Sequence, residues 1–150
     1  MKCISLWQPW ATLMVIGAKR NETRHWGTSY RGVLGIHAAK YWPKENQELC
    51  REEPFRSALA KAGQLPLGAL IGTVELVMCV PTEVFSGFTP VKIEEPELSF
   101  GDYSPGRFAW LNGNPVQFTL PIAYRGSQGF FEVPDSLLLP EGRLEARHCR

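Results

Sequence analysis

An α+β domain, mainly β, in which a small curled sheet or barrel carries helices on its periphery, is the fold that the sequence predicts. Three observations lead there. Runs of alternating or continuous apolar residues recur as roughly five to seven strand candidates, two of them long. Helical propensity gathers in only two places. The length of 150 residues suits a single core, because a second would have to share apolar side chains that the first already needs. Hydrophobic residues at 44% and charged residues at 21% exclude a disordered or collagen-like chain. The regular strand and helix alternation of a nucleotide-binding parallel sheet is missing, and no Gly-rich phosphate fingerprint follows a strand. Kinase, ATPase and dehydrogenase readings therefore lose their support. Gly126-Ser127-Gln128-Gly129 has the wrong spacing for a nucleophile elbow.

Each element has a local cause. Ile4 to Trp7 reads as a short strand, after which Pro9 can open a helix because its missing N–H would be unpaired there anyway. Gly17 can end that helix, whose Trp10, Leu13 and Met14 share one face. From Lys19 to Trp26 the pattern becomes a strand, with Glu22, Arg24 and Trp26 on one side and Asn21, Thr23 and His25 on the other. Gly32 to Ala38 reads as a largely buried strand. Trp42 to Ala62 is helical by propensity, and Pro54 should split it in two. Pro66 and Gly68 launch the strongest strand, Ala69 to Val80, which Pro81 stops. Pro81 to Gly106, rich in proline and acidic residues, reads as an ordered excursion that serves a site. Arg107 to Leu111 and Val116 to Tyr124 read as two strands joined by a hairpin turn at Asn112-Gly113-Asn114-Pro115, with a bulge or edge at Pro121. Phe130 to Val133 is a last short strand, and residues 134–150 form a tail.

Sixteen Lys and Arg against fifteen Asp and Glu leave a net charge of +1, so nucleic-acid affinity has to come from local clustering. Residues 1–50 hold seven basic and three acidic side chains, which marks the amino-terminal third as the basic face. Cys3, Cys50, Cys79 and Cys149 lie 47, 29 and 70 positions apart, too far for a chelating or redox pair, and no metal or cofactor is expected. The longest apolar window, Ala69 to Val80, is too short to span a bilayer and contains Glu75. With no secretion signal evident, a soluble cytoplasmic protein without a membrane partner is expected.

The candidate site gathers around the first turn of the chain. Lys19, Glu22 and Arg24 stand close to Trp7, Trp10 and Trp26. They are either an ion pair at a strand end or the edge of a cleft, where Lys19 and Arg24 hold phosphate and Glu22 orients a cation or works as acid or base. Glu75 lies on an otherwise apolar strand and should face water, a cation or a cavity; a barrel would let it meet Lys19 or Arg24. Gln8 between two indoles has what a base-reading pocket needs, an amide beside flat stacking surfaces. Tyr103 and Arg107, in Gly101 to Arg107, supply another aromatic and cation, either in a solvated turn or in a lid. His25, His37 and His148 are isolated and receive no role.

Ser5-Leu6-Trp7-Gln8-Pro9-Trp10-Ala11, followed by Gly17-x-Lys19-x-x-Glu22-x-Arg24 and Trp26, resembles the ASCH domain family, related to PUA domains. Arg31-Gly32 with Ile36-His37-Ala38, Ile71 to Leu76, Gly106 to Trp110 and Arg125-Gly126-x-Gln128-Gly129 continue the likeness in the family's order, over about residues 4–133. The resemblance implies a PUA-like β-barrel and a cleft lined by Lys19, Glu22 and Arg24. It also implies association with RNA or modified nucleotides. One branch hydrolyses the amide of acetylated cytidine with a lysine, a threonine three positions later and a glutamate; another cuts single-stranded RNA. The lysine corresponds to Lys19, but Glu22 stands at the threonine position and Thr23 one place beyond it.

The sequence thus predicts binding of single-stranded RNA or a modified nucleoside or nucleotide in a cationic, aromatic-lined cleft at a barrel mouth. Trp7, Gln8, Lys19, Arg24, Trp26, Tyr103 and Arg107 are its candidate contacts. The alternative is a hydrolase of nucleic acid or modified nucleosides in which Lys19, Glu22 and Glu75 carry the chemistry. A protein-interaction module using the same groove is the third reading.

Overall fold

The computed structural model describes residues 1–87, 91–138 and 147–148. Its strands are β1 (Lys2–Leu6), β2 (Asn21–Arg24), β3 (Gly32–Ala38), β4 (Ala69–Pro81), β5 (Phe108–Ala123), β6 (Phe131–Glu132) and β7 (Arg147–His148). The helices α1 (Trp10–Val15), α2 (Lys44–Leu49), α3 (Phe55–Ala58) and α4 (Glu97–Phe100) are short. Pro54 divides α2 from α3, as the sequence implies. Gly17 follows α1 at φ 81°, a conformation that costs a side-chain-bearing residue more than glycine.

The strands form a single sheet in the order β2-β5-β4-β3-β1-β6, with β7 added to β5. β1 and β3 are parallel, and Ser5 lies opposite His37 in their register. The expected barrel does not close, because β2 and β6 remain the ends of the path. Side chains bridge the gap instead: Trp26, just after β2, packs edge-on to Phe130, just before β6, with ring centroids 5.3 Å apart. The two ends of the sheet therefore meet through side chains, with no ladder pairing between β2 and β6.

The expected hairpin at residues 112–115 is also absent. β5 runs unbroken for 16 residues, and both of its halves pair with the 13-residue β4, Ala109 opposite Val80 and Ile122 opposite Leu70. Asn114, at φ 46°, accommodates a bulge: Thr73 faces Val116 while Glu75 faces Gly113, one residue more on β5 than on β4. A partner long enough to take both halves turned the Asn-Gly signal from a reversal into a kink.

The main core lies between α1 and one face of the sheet, where Met14 and Val15 pack with Ile4, Leu34, Ile36 and Trp110. On α1's other side Leu13 meets Phe55 of α3 and Phe100 of α4, so the excursion is anchored into the body of the protein. Residues 88–90 of the expected excursion and residues 139–146 and 149–150 of the expected tail, Cys149 among them, lie outside the described residues.

Candidate functional site

Two adjoining concavities form one groove beside β1 and β2, and Ser5, Trp7 and Arg24 line both. The larger, about 980 Å³, is bounded by Trp26, Lys40 and the loop Arg125 to Gly129. The smaller, about 510 Å³, is walled by Glu22, Thr23 and the segment Ser99 to Asp102, with Arg107 at its side.

Arg24 occupies the junction. Its guanidinium carbon stands 5.5 Å from the Trp26 ring centroid and 5.8 Å from that of Trp110. It makes no ion pair with a described residue, and its Nε is buried without a hydrogen-bond partner. A planar cation resting against a pair of touching indoles, with no carboxylate partner among the described residues, is suited to a planar or phosphate-bearing anion. Trp26 is fixed in turn, since its carbonyl accepts the Trp110 indole N–H at 3.2 Å. Trp7 is 51% exposed and meets Tyr41 edge-on, leaving ring surface available for stacking.

The other expected site residues part company with these. Lys19 is 1% exposed, and its Nζ donates to the Phe100 carbonyl at 3.0 Å, so it braces the excursion from inside and lines neither lobe of the groove. Burial pulls its ammonium below the ordinary lysine range, against the opposing charges of Glu22 and Glu97. Gln8 is fully buried: its amide N–H donates to the Pro66 carbonyl at 2.9 Å, and its Oε1 accepts the Thr12 backbone N–H at 3.0 Å. Each end bonds to the backbone, and Gln8 lines neither lobe of the groove.

Glu22 lies in the wall of the smaller concavity and accepts the Thr23 backbone N–H at 2.9 Å. Thr23, which alternation places on the opposite side, lines the same wall; its Oγ1 accepts the Asp102 backbone N–H at 2.9 Å. Glu75 is elsewhere, accepting a hydrogen bond from the Asn114 amide at 2.6 Å across β4 and β5, and it does not line the groove. Because the sheet stays open, nothing curls Glu75 round to Lys19 or Arg24. Tyr103 packs on Phe85 and receives a 3.4 Å contact from the Asn21 amide outside both concavities; burial pushes its phenol up to about 12. Arg107 reaches the groove wall while donating to the Asp102 and Thr23 carbonyls, each at 3.1 Å, and pairing with the Asp102 carboxylate at 3.5 Å. It shapes the wall.

His37 enters the groove although the sequence assigns it no role. It is 2% exposed and lines the larger concavity beside Lys40 and Arg125. The excursion also does more than a loop: the Glu97 carboxylate accepts the backbone N–H groups of Arg20 at 3.0 Å and Asn21 at 2.8 Å, docking α4 on the start of β2. Among the described residues no cluster of three metal-ligating side chains exists, and no helix is long and apolar enough to cross a membrane.

Comparison with known proteins gives a consistent answer. The family model described as the ASCH domain matches residues 4–122. Activating signal cointegrator 1 of Homo sapiens is 31% identical over 141 residues, and the Mus musculus protein of the same name 34% over 139; each match covers 90% of this chain. The chain spans only 22% of the length of either relative. An ASCH crystal structure from Zymomonas mobilis superposes with a TM-score of 0.53 at 16% identity, covering 91% of this chain and 89% of that one. A mutant form of the same protein gives the same score over 91% of both chains.

Proposed function

The chain belongs to the ASCH domain family, and from that premise we propose that its groove binds short single-stranded RNA or a modified nucleotide, with Arg24 at the centre. The family's general link to RNA binding supports the reading. The observation that carries it is the Arg24 guanidinium itself, set beside the touching Trp26 and Trp110 rings, lining both lobes of the groove and joined to no carboxylate among the described residues. Lys40 and Arg125 add positive charge to the larger lobe, and no Asp or Glu among the described residues lines that lobe. Cations here meet phosphate, while exposed Trp7 provides a face for a base.

Titration with short unstructured RNA oligomers, followed by tryptophan fluorescence, tests this. Quenching that saturates, with affinity falling about tenfold or more in Arg24→Ala, is expected for the loss of a charge-assisted contact worth about 1.5–3 kcal/mol. Unaltered affinity in Arg24→Ala would sink the proposal. The signal-cointegrator name of the two relatives bears on a protein partner for their full length, of which this chain matches a small part.

A further inference from the structure

We propose that Ser5 and His37 form a nucleophile and base pair in the larger lobe of the groove, directed at an O-acyl ester carried by a nucleotide. The nucleotide part of this proposal rests on the binding reading above; the dyad rests on its own geometry. Ser5 Oγ and His37 Nδ1 are 2.9 Å apart, and on the far side of the ring Nε2 stands 2.7 Å from the Tyr124 carbonyl oxygen. A carbonyl can only accept, so Nε2 carries the ring proton and Nδ1 of the neutral imidazole presents its lone pair to the serine hydroxyl. Nucleophile, base and a third group that fixes the base's tautomer are the parts that serine activation requires.

Three further observations favour chemistry over a simple cross-strand hydrogen bond. Ser5 and His37 both line the concavity of about 980 Å³, although His37 is otherwise buried and packs on Phe131. Burial lowers the His37 pKa below the ordinary value of 6.5, against the Tyr124 hydrogen bond, so the ring is a free base at neutral pH. Gly126 is pressed against the pair: a Cβ there would lie 2.6 Å from His37 Cε1 and 3.1 Å from Ser5 Oγ, so only a residue without a side chain brings this loop so near. Among the described residues, none accepts the backbone N–H groups of Gly126, Ser127 or Gln128. Backbone donors without a protein partner thus lie in the loop that borders the dyad.

The steps balance with water as the co-reactant. Ser5 Oγ bonds to the acyl carbon as its proton passes to His37 Nδ1; the ester C–O bond then breaks, and the departing ribose oxygen takes that proton. Water attacks the acyl-serine, leaves a proton on Nδ1, and the carboxylic acid departs as Ser5 is reprotonated. An ester fits better than an amide because an alkoxide leaves with less proton assistance than an amine, and a carbonyl supports an imidazolium less than a carboxylate would.

Two assays on the whole chain decide it. A fluorophosphonate probe, with peptides mapped by mass spectrometry, should phosphonylate Ser5 in the folded protein and not in denaturant. Labelling should vanish in Ser5→Ala and drop at least tenfold in His37→Gln, whose amide can still donate to the Tyr124 carbonyl. The remote Ser57→Ala should label at the wild-type rate. In parallel, acetate release from 2′(3′)-O-acetyl-AMP should exceed the buffer rate and disappear in Ser5→Ala. A folded protein that is unlabelled at Ser5 and releases no acetate overturns the proposal, as does equal labelling in a folded His37→Gln. Should His37→Gln not fold, the wild-type and Ser5→Ala arms still decide. RNA titration of the wild type keeps the two readings separate: RNA binding without Ser5 labelling rejects the dyad alone, whereas Ser5 labelling without RNA binding rejects the nucleotide groove and leaves the dyad.

Discussion

Lys19 and Arg24 are five positions apart and answer opposite demands. Lys19 is surrounded by protein and holds the Phe100 carbonyl, so Lys19→Ala removes a core-sized side chain as well as a hydrogen bond. It is expected to cost about 2–5 kcal/mol, read by urea unfolding. Arg24→Ala forfeits two ring contacts at a partly open position and should cost only about 0.5–1 kcal/mol, while binding falls. If Lys19→Ala leaves stability unchanged, its bracing role is wrong. His37 supplies a pH signature. Its folded pKa lies below that of the unfolded chain, so unfolding takes up a proton in the window beneath about pH 6.5. The contribution of neutral His37 to stability is therefore full above that pH and is lost as pH falls through the folded pKa. Wild type minus His37→Gln, measured by urea unfolding from pH 8 to pH 5, should isolate this difference from the carboxylates.

At the scale of elements, strands were legible where their causes were local. The β3 bounds Gly32 and Ala38 follow from a short apolar run, and Ala69 follows from a proline and a glycine placed before a longer one. Asn112-Gly113-Asn114-Pro115 misleads because its residue types report a need for positive φ, whereas turn or bulge depends on the length of β4 beside it. Asn114 holds the bulge by its left-handed backbone and its bond to Glu75. Asn114→Val should lower stability by about 1–2 kcal/mol, and Asn114→Gly by less, in thermal melts. Equal losses in both would show that the side-chain bond, and not the backbone conformation, governs the bulge. The excursion was only half readable: its acidic and proline-rich composition marks irregular chain, but nothing nearby in sequence tells that Glu97 docks on Arg20 and Asn21, 77 and 76 positions away.

Over the whole molecule, a net charge of +1 leaves any electrostatic attraction to local clusters of cations. Binding through roughly two or three phosphates should make log affinity fall with log salt at a slope of about −1.4 to −2.1. A much steeper slope would place the contacts on a wider surface than Arg24, Lys40 and Arg125 provide. The open sheet serves the same groove. With β2 and β6 left unpaired, the larger lobe of the groove has Arg24 on one side and the Gly126 loop on the other, and the Trp26–Phe130 contact spans the two ends of the sheet.

Periodicity, proline and glycine placement and the Trp-Gln-Pro-Trp and Lys-x-x-Glu-x-Arg runs were enough to reach the family and the sequence of most elements, since each rests on neighbours within a few residues. Which polar groups meet water was settled only by folding. Gln8 is consumed by a carbonyl 58 positions away and Lys19 by one 81 away, while Ser5 and His37, 32 apart, come together because two parallel strands pair in one register. Burial and partnership belong to segments remote along the chain, and residue type states what a side chain can do without stating what it will face.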